Sequence, residues 1–129
     1  MGVTTITLGQ DGDSPDVQPL SNWSNDVGEQ GIGTNLAMFI GHGTIRDQSG
    51  IGMSESPEAE DMQRMLELLD DALDYTFGMS SGLEYNPGLN ANTAELRALA
   101  KVVGDKNRLI MSHMRNEDDD QLEASIAEL

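Results

Sequence analysis

Histidines, aspartates and a tyrosine lie in short polar segments of this sequence, and side chains of these types bind metal ions or transfer protons. His113 follows an apolar run in the segment LIMSHMRNE (109–117), where Arg115 comes two residues later. The other histidine, His42, lies in the segment GHGTIR together with Arg46. Neutral imidazole is the commonest metal ligand in proteins, and carboxylates complete many of its sites. The residue types therefore predict metal binding or acid–base chemistry.

Four polar segments share one feature, because each comes at the end of a short apolar run of the kind found in β-strands. They are GQDGDSP (9–15), GHGTIR (41–46), SSGLEYNP (80–87) and SHMRNE (112–117). In parallel α/β folds the carboxyl ends of the strands and the loops after them form the ligand-binding face. The repetition of polar segments at equivalent positions is the strongest internal sign of a site.

The elements that position these segments alternate between strand and helix. Strands are predicted at 3–8, 36–40, 77–81 and 108–112. Apolar residues at three- and four-residue spacing predict helices at 57–73, 93–103 and 122–129, and a short helix is possible within 17–27. Alternation of strand and helix predicts parallel strands with right-handed crossovers. We therefore expect an α/β fold of four βα units, either a small open sheet or half of a TIM-type (β/α)8 barrel, which takes roughly 250 residues when complete.

Composition limits the classes of function. The chain has 129 residues, which we interpret as one domain (1–129). It carries 23 acidic residues against 7 Lys and Arg, a net charge of −16, so we expect neither nucleic-acid nor membrane binding. The absence of cysteine and of a leader or membrane-spanning run predicts a cytoplasmic protein. The acidic, lysine-poor composition resembles that of proteins from salt-loving archaea, because concentrated salt screens such repulsion; an acidic interaction protein is the alternative.

Simpler interpretations apply to several of these residues. A lone histidine at a strand end is often a hydrogen-bonded structural residue rather than a ligand. The aspartates at 11, 13 and 16 lack the spacing of a calcium loop, so a solvated turn is the better interpretation. The stretch GIGTN precedes a strand instead of following one, so it is a poor dinucleotide-binding motif.

Five segments in order resemble the N-acyl-D-amino-acid deacylases, the D-aminoacylases of the amidohydrolase superfamily. They are GVTTITLGQDGDSP, NLAMFIGHGTIR, FGMSSGLEYNPG, TAELRALAKVV and IMSHMRNE. The resemblance covers nearly the whole chain and implies the second to fifth βα units of a metal-dependent barrel hydrolase. It implies hydrolysis of the amide bond of N-acyl-D-amino acids or related non-peptide amides, with zinc as the divalent metal cofactor.

The same resemblance implies roles for individual residues. His113 matches a metal-ligating histidine, and Asp11 falls where the family often carries a cysteine ligand, so both are predicted metal ligands. Tyr85 matches a tyrosine near the substrate carbonyl. His42 and Arg46 match a loop that lines the cleft. Arg115 is suited to pairing with a substrate carboxylate, or with Glu117 in the chain itself.

Other parts of the family pattern have no counterpart in this sequence. They are an N-terminal HxH pair, a further histidine and the aspartate that acts as general base, so no catalytic residue is predicted within this chain. A metal site formed by this chain alone would be incomplete. A half-barrel leaves sheet edges unpaired, which favours self-association or contact with the missing half of the barrel. Two hypotheses follow: a portion of a deacylase, or a non-catalytic barrel fragment that acts as a subunit or interaction module.

Overall fold

Four strands alternate with helices along the chain. The computed structural model describes residues 2–16 and 18–129. The strands are β1 (Thr5–Leu8), β2 (Asn35–Gly41), β3 (Gly78–Gly82) and β4 (Leu109–His113). The helices are α1 (Leu20–Gln30), α2 (His42–Ser49), α3 (Ala59–Ala72), α4 (Thr93–Asp105) and α5 (Leu122–Glu128), and a short 3-10 turn spans Gly88–Asn90.

The strands form one sheet in the order β1-β2-β3-β4, and each neighbouring pair is parallel. The register pairs Leu8 with Met38, Ile40 with Met79, and Gly82 with His113. Sequential parallel strands joined through helices are the βα repeats that the sequence predicted, so the predicted fold class is confirmed. The carboxyl ends of the four strands consequently lie along one edge of the sheet.

The hydrophobic core lies between one face of the sheet and the helices. Met38, Ile40 and Met79 project from the central strands into it. The helices contribute apolar side chains at helical spacing, which are Ile45, Met65, Leu69, Ala72, Leu99 and Val103. This packing explains why the predicted helices form where the apolar periodicity placed them.

Two helical regions differ from the sequence expectation. The segment 41–46 was predicted as a strand-end loop that carries His42 and Arg46, and this prediction is wrong, because α2 begins at His42 directly after β2. The helix was not predicted because Gly43, Thr44 and Ile45 have low helix propensity. Burial of Ile45 and Arg46 offsets this unfavourable propensity. The short helix expected within 17–27 is present as α1, although residue 17 lies outside the described residues. Within residues 2–16 and 18–129, no helix combines the length and apolar character needed to cross a bilayer.

The second face of the sheet carries apolar side chains without a covering layer in the described part of the chain. The register places Phe39, Gly78 and Leu109 side by side on this face, with Met111 two residues further along β4. Leu109 is 62% exposed and Met111 is 36% exposed. In a closed barrel the equivalent face fills the interior, so this exposure is what an open part of a barrel would show.

Lys106 links the end of α4 to the end of α3, and its replacement by methionine tests how much this link stabilises the fold. Its ammonium lies 2.8 Å from Asp74 Oδ1 and 3.2 Å from Asp70 Oδ2. The hydrogen bond to Asp74 raises the pKa of Lys106 above its ordinary value of 10.5, against a smaller lowering by desolvation. We expect Lys106→Met to lower the free energy of unfolding by about 0.5–1 kcal/mol at neutral pH.

A raised pKa gives this effect a defined pH dependence. The stabilisation is fully present below the unfolded-state pKa and disappears as the pH rises through the folded-state pKa, so the two proteins should converge in strongly alkaline solution. Urea unfolding at several pH values measures this difference. Lys101→Met is the matched control, since Lys101 is 74% exposed and pairs with Asp105 on its own helix. An equal loss in both variants would contradict the prediction.

Candidate functional site

Three of the predicted site residues meet at the carboxyl edge of the sheet. His113 ends β4, and its Nδ1 lies 3.5 Å from Asp11 Oδ1. The Tyr85 hydroxyl lies 3.3 Å from His113 Nε2, and the two rings pack edge to face with their centroids 4.8 Å apart. The His113 side chain is 21% exposed and that of Asp11 is 61% exposed, so the cluster opens to solvent.

The loop after β1 brings Asp11 across two intervening strands. Strands β1 and β4 lie at opposite edges of the sheet, yet the turn at Asp11 and Gly12 folds over the ends of β2 and β3. The Gly12 amide donates to Ser80 Oγ at 3.1 Å. A Cβ atom at Gly82 would lie 2.2 Å from the Asp11 carbonyl oxygen, and one at Gly41 would lie 2.5 Å from the Gly12 oxygen. Glycine at these strand ends is therefore a steric requirement for the loop to reach His113.

Two further carboxylates contact His113: Glu84, for which the sequence predicted no role, and Glu117, which was predicted only as an alternative partner of Arg115. Glu84 Oε2 lies 2.9 Å from His113 Nε2, and Glu117 Oε1 lies 3.4 Å from the same nitrogen. Both residues belong to polar segments that follow strands, so the rule that singled out His113 and Tyr85 also applied to them. One ring nitrogen thus faces Asp11 while the other is placed to donate to Glu84. Metal-binding histidines commonly have such a carboxylate on their second nitrogen.

The phenol of Tyr85 stays protonated over a wide pH range. Desolvation, followed by the negative charges of Glu84, Asp11 and Glu117, raises the pKa of Tyr85 above its ordinary value of 10.0. A protonated phenol donates a hydrogen bond, and donors of this kind stabilise an oxygen on which negative charge develops. The environment of Tyr85 therefore maintains the donor form.

A pocket of about 420 Å³ opens beside this cluster. Its walls are the loop after β1, residues from the first two turns of α2, the end of β3 and the segment 85–88. Four aspartates are among the lining residues, which are Asp11, Asp13, Asp16 and Asp47. No lysine or arginine lines the pocket in the part of the chain that the structure describes. These walls supply no positive charge to a substrate carboxylate.

His42 and Arg46 lie behind the pocket instead of lining it. Both residues are completely buried, and their common partner is Glu95, which is 1% exposed. His42 Nε2 lies 2.7 Å from Glu95 Oε1, and Arg46 Nε lies 3.4 Å from the same oxygen. Burial lowers the pKa of the Arg46 guanidinium, and the charges of Glu95 and Asp47 oppose that shift. Neither side chain presents surface to the pocket, so their predicted contact with substrate stays a prediction.

Arg115 is engaged within the protein. Its Nε and Nη2 donate to the Glu128 carboxylate at 2.9 and 2.8 Å, and Nη1 donates to the Leu89 carbonyl at 2.6 Å. The arginine therefore pairs with Glu128 and not with Glu117, because Glu117 lies against His113. A substrate carboxylate would have to compete with this paired arrangement.

The residues around His113 are of the types that bind zinc, but they are too few to complete a zinc site. Imidazole nitrogen and carboxylate oxygen are both good zinc ligands. The 3.5 Å between His113 Nδ1 and Asp11 Oδ1 is close to the separation of about 3.3 Å that follows for two tetrahedral ligands at 2.0–2.1 Å from one ion. Within residues 2–16 and 18–129, however, no three His, Asp or Glu residues are arranged to hold one ion. Two ligands from this chain would need further ligands from elsewhere.

Comparisons with known proteins agree with the sequence resemblance. N-acyl-D-glutamate deacylase of Alcaligenes xylosoxydans xylosoxydans is 34% identical over 99% of this chain, which corresponds to 26% of that enzyme. No protein-family model matches the sequence. The chain therefore spans about a quarter of the length of this curated relative.

Solved structures show the same relationship in three dimensions. The crystal structure of N-acyl-D-glutamate deacylase from Bordetella bronchiseptica, with zinc and a phosphonate inhibitor that mimics the tetrahedral intermediate, matches with a TM-score of 0.89 at 30% identity. The match covers 98% of this chain and 31% of that one. A D-aminoacylase that defines a subset of amidohydrolases matches with a TM-score of 0.85 at 24% identity, which supports the fold alone. The resemblance to D-aminoacylases and the interpretation of the sheet as part of a TIM barrel are confirmed.

Proposed function

We propose that residues 1–129 form, as one domain, a segment of a metal-dependent hydrolase that cleaves the amide bond of N-acyl-D-amino acids. The observation that carries this proposal is the convergence of Asp11, Tyr85 and His113 at the strand ends of a sheet that matches a zinc-containing deacylase. Asp11 and Tyr85 come from two separate loops and His113 from the end of β4, and packing of the core does not require them to meet. A shared ligand at this edge of the sheet accounts for their arrangement.

Each of these residues would have a separate role within such a site. His113 and Asp11 would hold zinc, which when bound polarises an amide carbonyl and activates water. Glu84 and Glu117 orient the His113 imidazole through its second nitrogen. Tyr85 donates its hydroxyl proton in a hydrogen bond to the carbonyl oxygen of the substrate. The general base and the remaining ligands lie outside the set that this chain provides.

Zinc binding by the chain tests the assignment of the ligands. We expect the chain to bind zinc at neutral pH, and we expect His113→Ala and Asp11→Ala each to weaken binding at least tenfold, equivalent to about 1.4 kcal/mol. Isothermal titration calorimetry measures both affinities directly. Removal of either ligand leaves a single protein donor, which explains the size of the loss.

A control variant separates loss of a ligand from loss of charge. Asp26→Ala removes one negative charge from an exposed position of α1, so it should leave zinc affinity within about twofold of the unmodified chain. Equal zinc affinity of His113→Ala and the unmodified chain would contradict the proposed site. An equal loss in Asp26→Ala and Asp11→Ala would show non-specific attraction of cations by the acidic surface.

The limited ligand set favours a second candidate function, that of a non-catalytic barrel segment acting as a subunit or interaction module. A hydrolysis assay on N-acetyl-D-amino acids with added zinc discriminates between the two. Turnover that His113→Ala abolishes supports a catalytic segment. Because the general base lies outside this chain, zinc binding without turnover supports the non-catalytic function only when the remaining barrel segment has also been added.

The sheet edges indicate where the rest of a barrel would join. In the described part of the chain, β1 pairs only with β2 and β4 pairs only with β3. We propose that these edges and the apolar face around Leu109 contact either the remaining barrel segment or a second copy of this chain. Analytical ultracentrifugation tests self-association, and a monomer at all concentrations excludes the second copy.

The charge of the chain favours a cytoplasm rich in salt. A net charge of −16 destabilises the compact state unless ions screen it. We propose that the protein works in the cytoplasm of a salt-accumulating cell. The midpoint of thermal unfolding should therefore rise with potassium chloride concentration, and a constant or falling midpoint would contradict this proposal.

A further inference from the structure

We propose that His42, Arg46 and Glu95 are positioning residues, which form a buried charged unit that holds the segment 84–88 and thereby places Tyr85 against His113. The inference rests on the proposed function only for the role of Tyr85 toward a substrate. The unit joins two parts of the chain that are distant in sequence, since His42 and Arg46 lie on α2 and Glu95, on α4, is 53 residues from His42.

The first step of the argument concerns Glu95, which occupies the first turn of α4. The Asn92 side chain caps this helix by accepting a hydrogen bond from the Glu95 amide at 3.0 Å. In a capping box, a glutamate at this position turns back to the N-terminus of its own helix. Here the carboxylate instead turns to His42 and Arg46, where it is almost fully buried. Burial of a carboxylate is unfavourable unless it is paired, so its partners must be held in place.

The second step concerns Arg46, which connects this carboxylate to the wall of the pocket. Its Nη1 donates to the Pro87 carbonyl at 2.6 Å, and its Nη2 donates to the Ser54 carbonyl. Pro87 lines the pocket two residues after Tyr85. A planar guanidinium with several fixed donors can hold a carboxylate and two carbonyls at once. Arg46 therefore ties the segment that carries Tyr85 to α2 and α4.

The third step concerns the lack of space around Gly88. A Cβ atom at this position would lie 2.4 Å from the Gly82 oxygen and 3.7 Å from His42 Nδ1. The segment thus lies tightly against the end of β3, and the His42 ring lies within ordinary van der Waals distance of such a Cβ atom. Small displacements of His42 or Arg46 would be transmitted to the backbone that carries Glu84 and Tyr85, both of which contact His113.

Hydrogen exchange of individual amides tests the role of Arg46 without zinc or substrate. Arg46→Lys keeps the positive charge but cannot reach all three partners with one ammonium. The amides of Leu89 and Ala91, which directly follow the segment, donate to its Tyr85 and Gly88 carbonyls. In Arg46→Lys the exchange of these two amides should accelerate at least tenfold more than the exchange of the Leu69 amide in α3. The nuclear Overhauser effect between the Tyr85 and His113 rings should also weaken. Equal acceleration at all three amides would overturn the proposal.

A control variant makes the test specific. Arg64→Lys is the matched control, because Arg64 also donates to a carbonyl, that of Ser49, but lies outside the unit with a 51% exposed side chain. It should leave the exchange of Leu89 and Ala91 unchanged, and the same acceleration there would overturn the proposal.

The unmodified chain provides a further test if Arg46→Lys does not fold. In that chain the Leu89 and Ala91 amides should exchange within about tenfold of the Leu69 amide, although their segment lies at the surface. Exchange a thousandfold faster would show that the unit does not hold the segment. Because the exchange measurements need no ligand, they can contradict the positioning role while the zinc titration supports the proposed function. The opposite outcome is equally distinguishable.

Discussion

Glu95→Ala is expected to lower the free energy of unfolding by about 3–5 kcal/mol, because it removes the carboxylate that contacts a buried arginine and leaves only the more distant charge of Asp47. Glu95 and Arg46 are 1% and 0% exposed, so water cannot replace the lost partner. The variant also removes the acceptor that His42 contacts at 2.7 Å. Urea unfolding followed by circular dichroism measures the change.

Two further variants show whether the unpaired charge causes the loss. Replacing both members of the ion pair, as in the double variant Glu95→Leu with Arg46→Met, should be less destabilising than Glu95→Ala, because no charge remains buried. Glu29→Ala, at an exposed position of α1, should change stability by no more than about 0.5 kcal/mol. A loss below 1 kcal/mol in Glu95→Ala would show that Arg46 is compensated in another way.

Gly82→Ala is expected to lower the free energy of unfolding by about 3 kcal/mol and to move Asp11 away from His113. The added Cβ would lie 2.2 Å from the Asp11 carbonyl oxygen and 3.0 Å from Tyr85 Cδ2, so backbone on one side and a ring on the other must shift. Overpacking of this kind typically costs about 1–3 kcal/mol, and a clash with backbone lies at the upper end. Chemical denaturation gives the stability change, and zinc titration reports the displacement of Asp11.

The control for this substitution is Gly104→Ala in α4, where an added Cβ meets nothing within 4 Å. Alanine favours the helix by up to about 1 kcal/mol, so this variant should be as stable as the unmodified chain or more stable. If Gly82→Ala were equally well tolerated, the close approach of the loop after β1 to β3 would not be a constraint on the site.

The fold class was predictable from the sequence because it depends on local patterns. Short β-branched and apolar runs predicted all four strands to within about two residues, and apolar periodicity predicted α3, α4 and α5. Helix α2 was not predicted, because its propensity is low and burial of Ile45 and Arg46 stabilises it. Local patterns detect helices with an apolar stripe and miss helices that depend on tertiary contacts.

The candidate site was predictable in part. Strand ends of a parallel sheet share one edge, and this rule alone brought Asp11, Tyr85 and His113 into one region. The same rule extends to Glu84 and Glu117, which lie in the same segments but have no pattern that separates them from solvated surface charges. Their contact with the His113 ring could be seen only once the loops were placed.

What the sequence by itself determined was the order of elements and the edge of the sheet at which polar residues gather, because spacing and composition act along the chain. The tertiary structure decided which of those residues face the pocket and which support it. His42 and Arg46 matched a cleft-lining loop by resemblance, yet they turn inward to Glu95, which lies in the predicted helix 93–103 and for which the sequence predicted no role. The physical reason is that a buried charge must be paired. Its partner is a residue that the fold brings close in space, here one that is 53 residues away in the sequence.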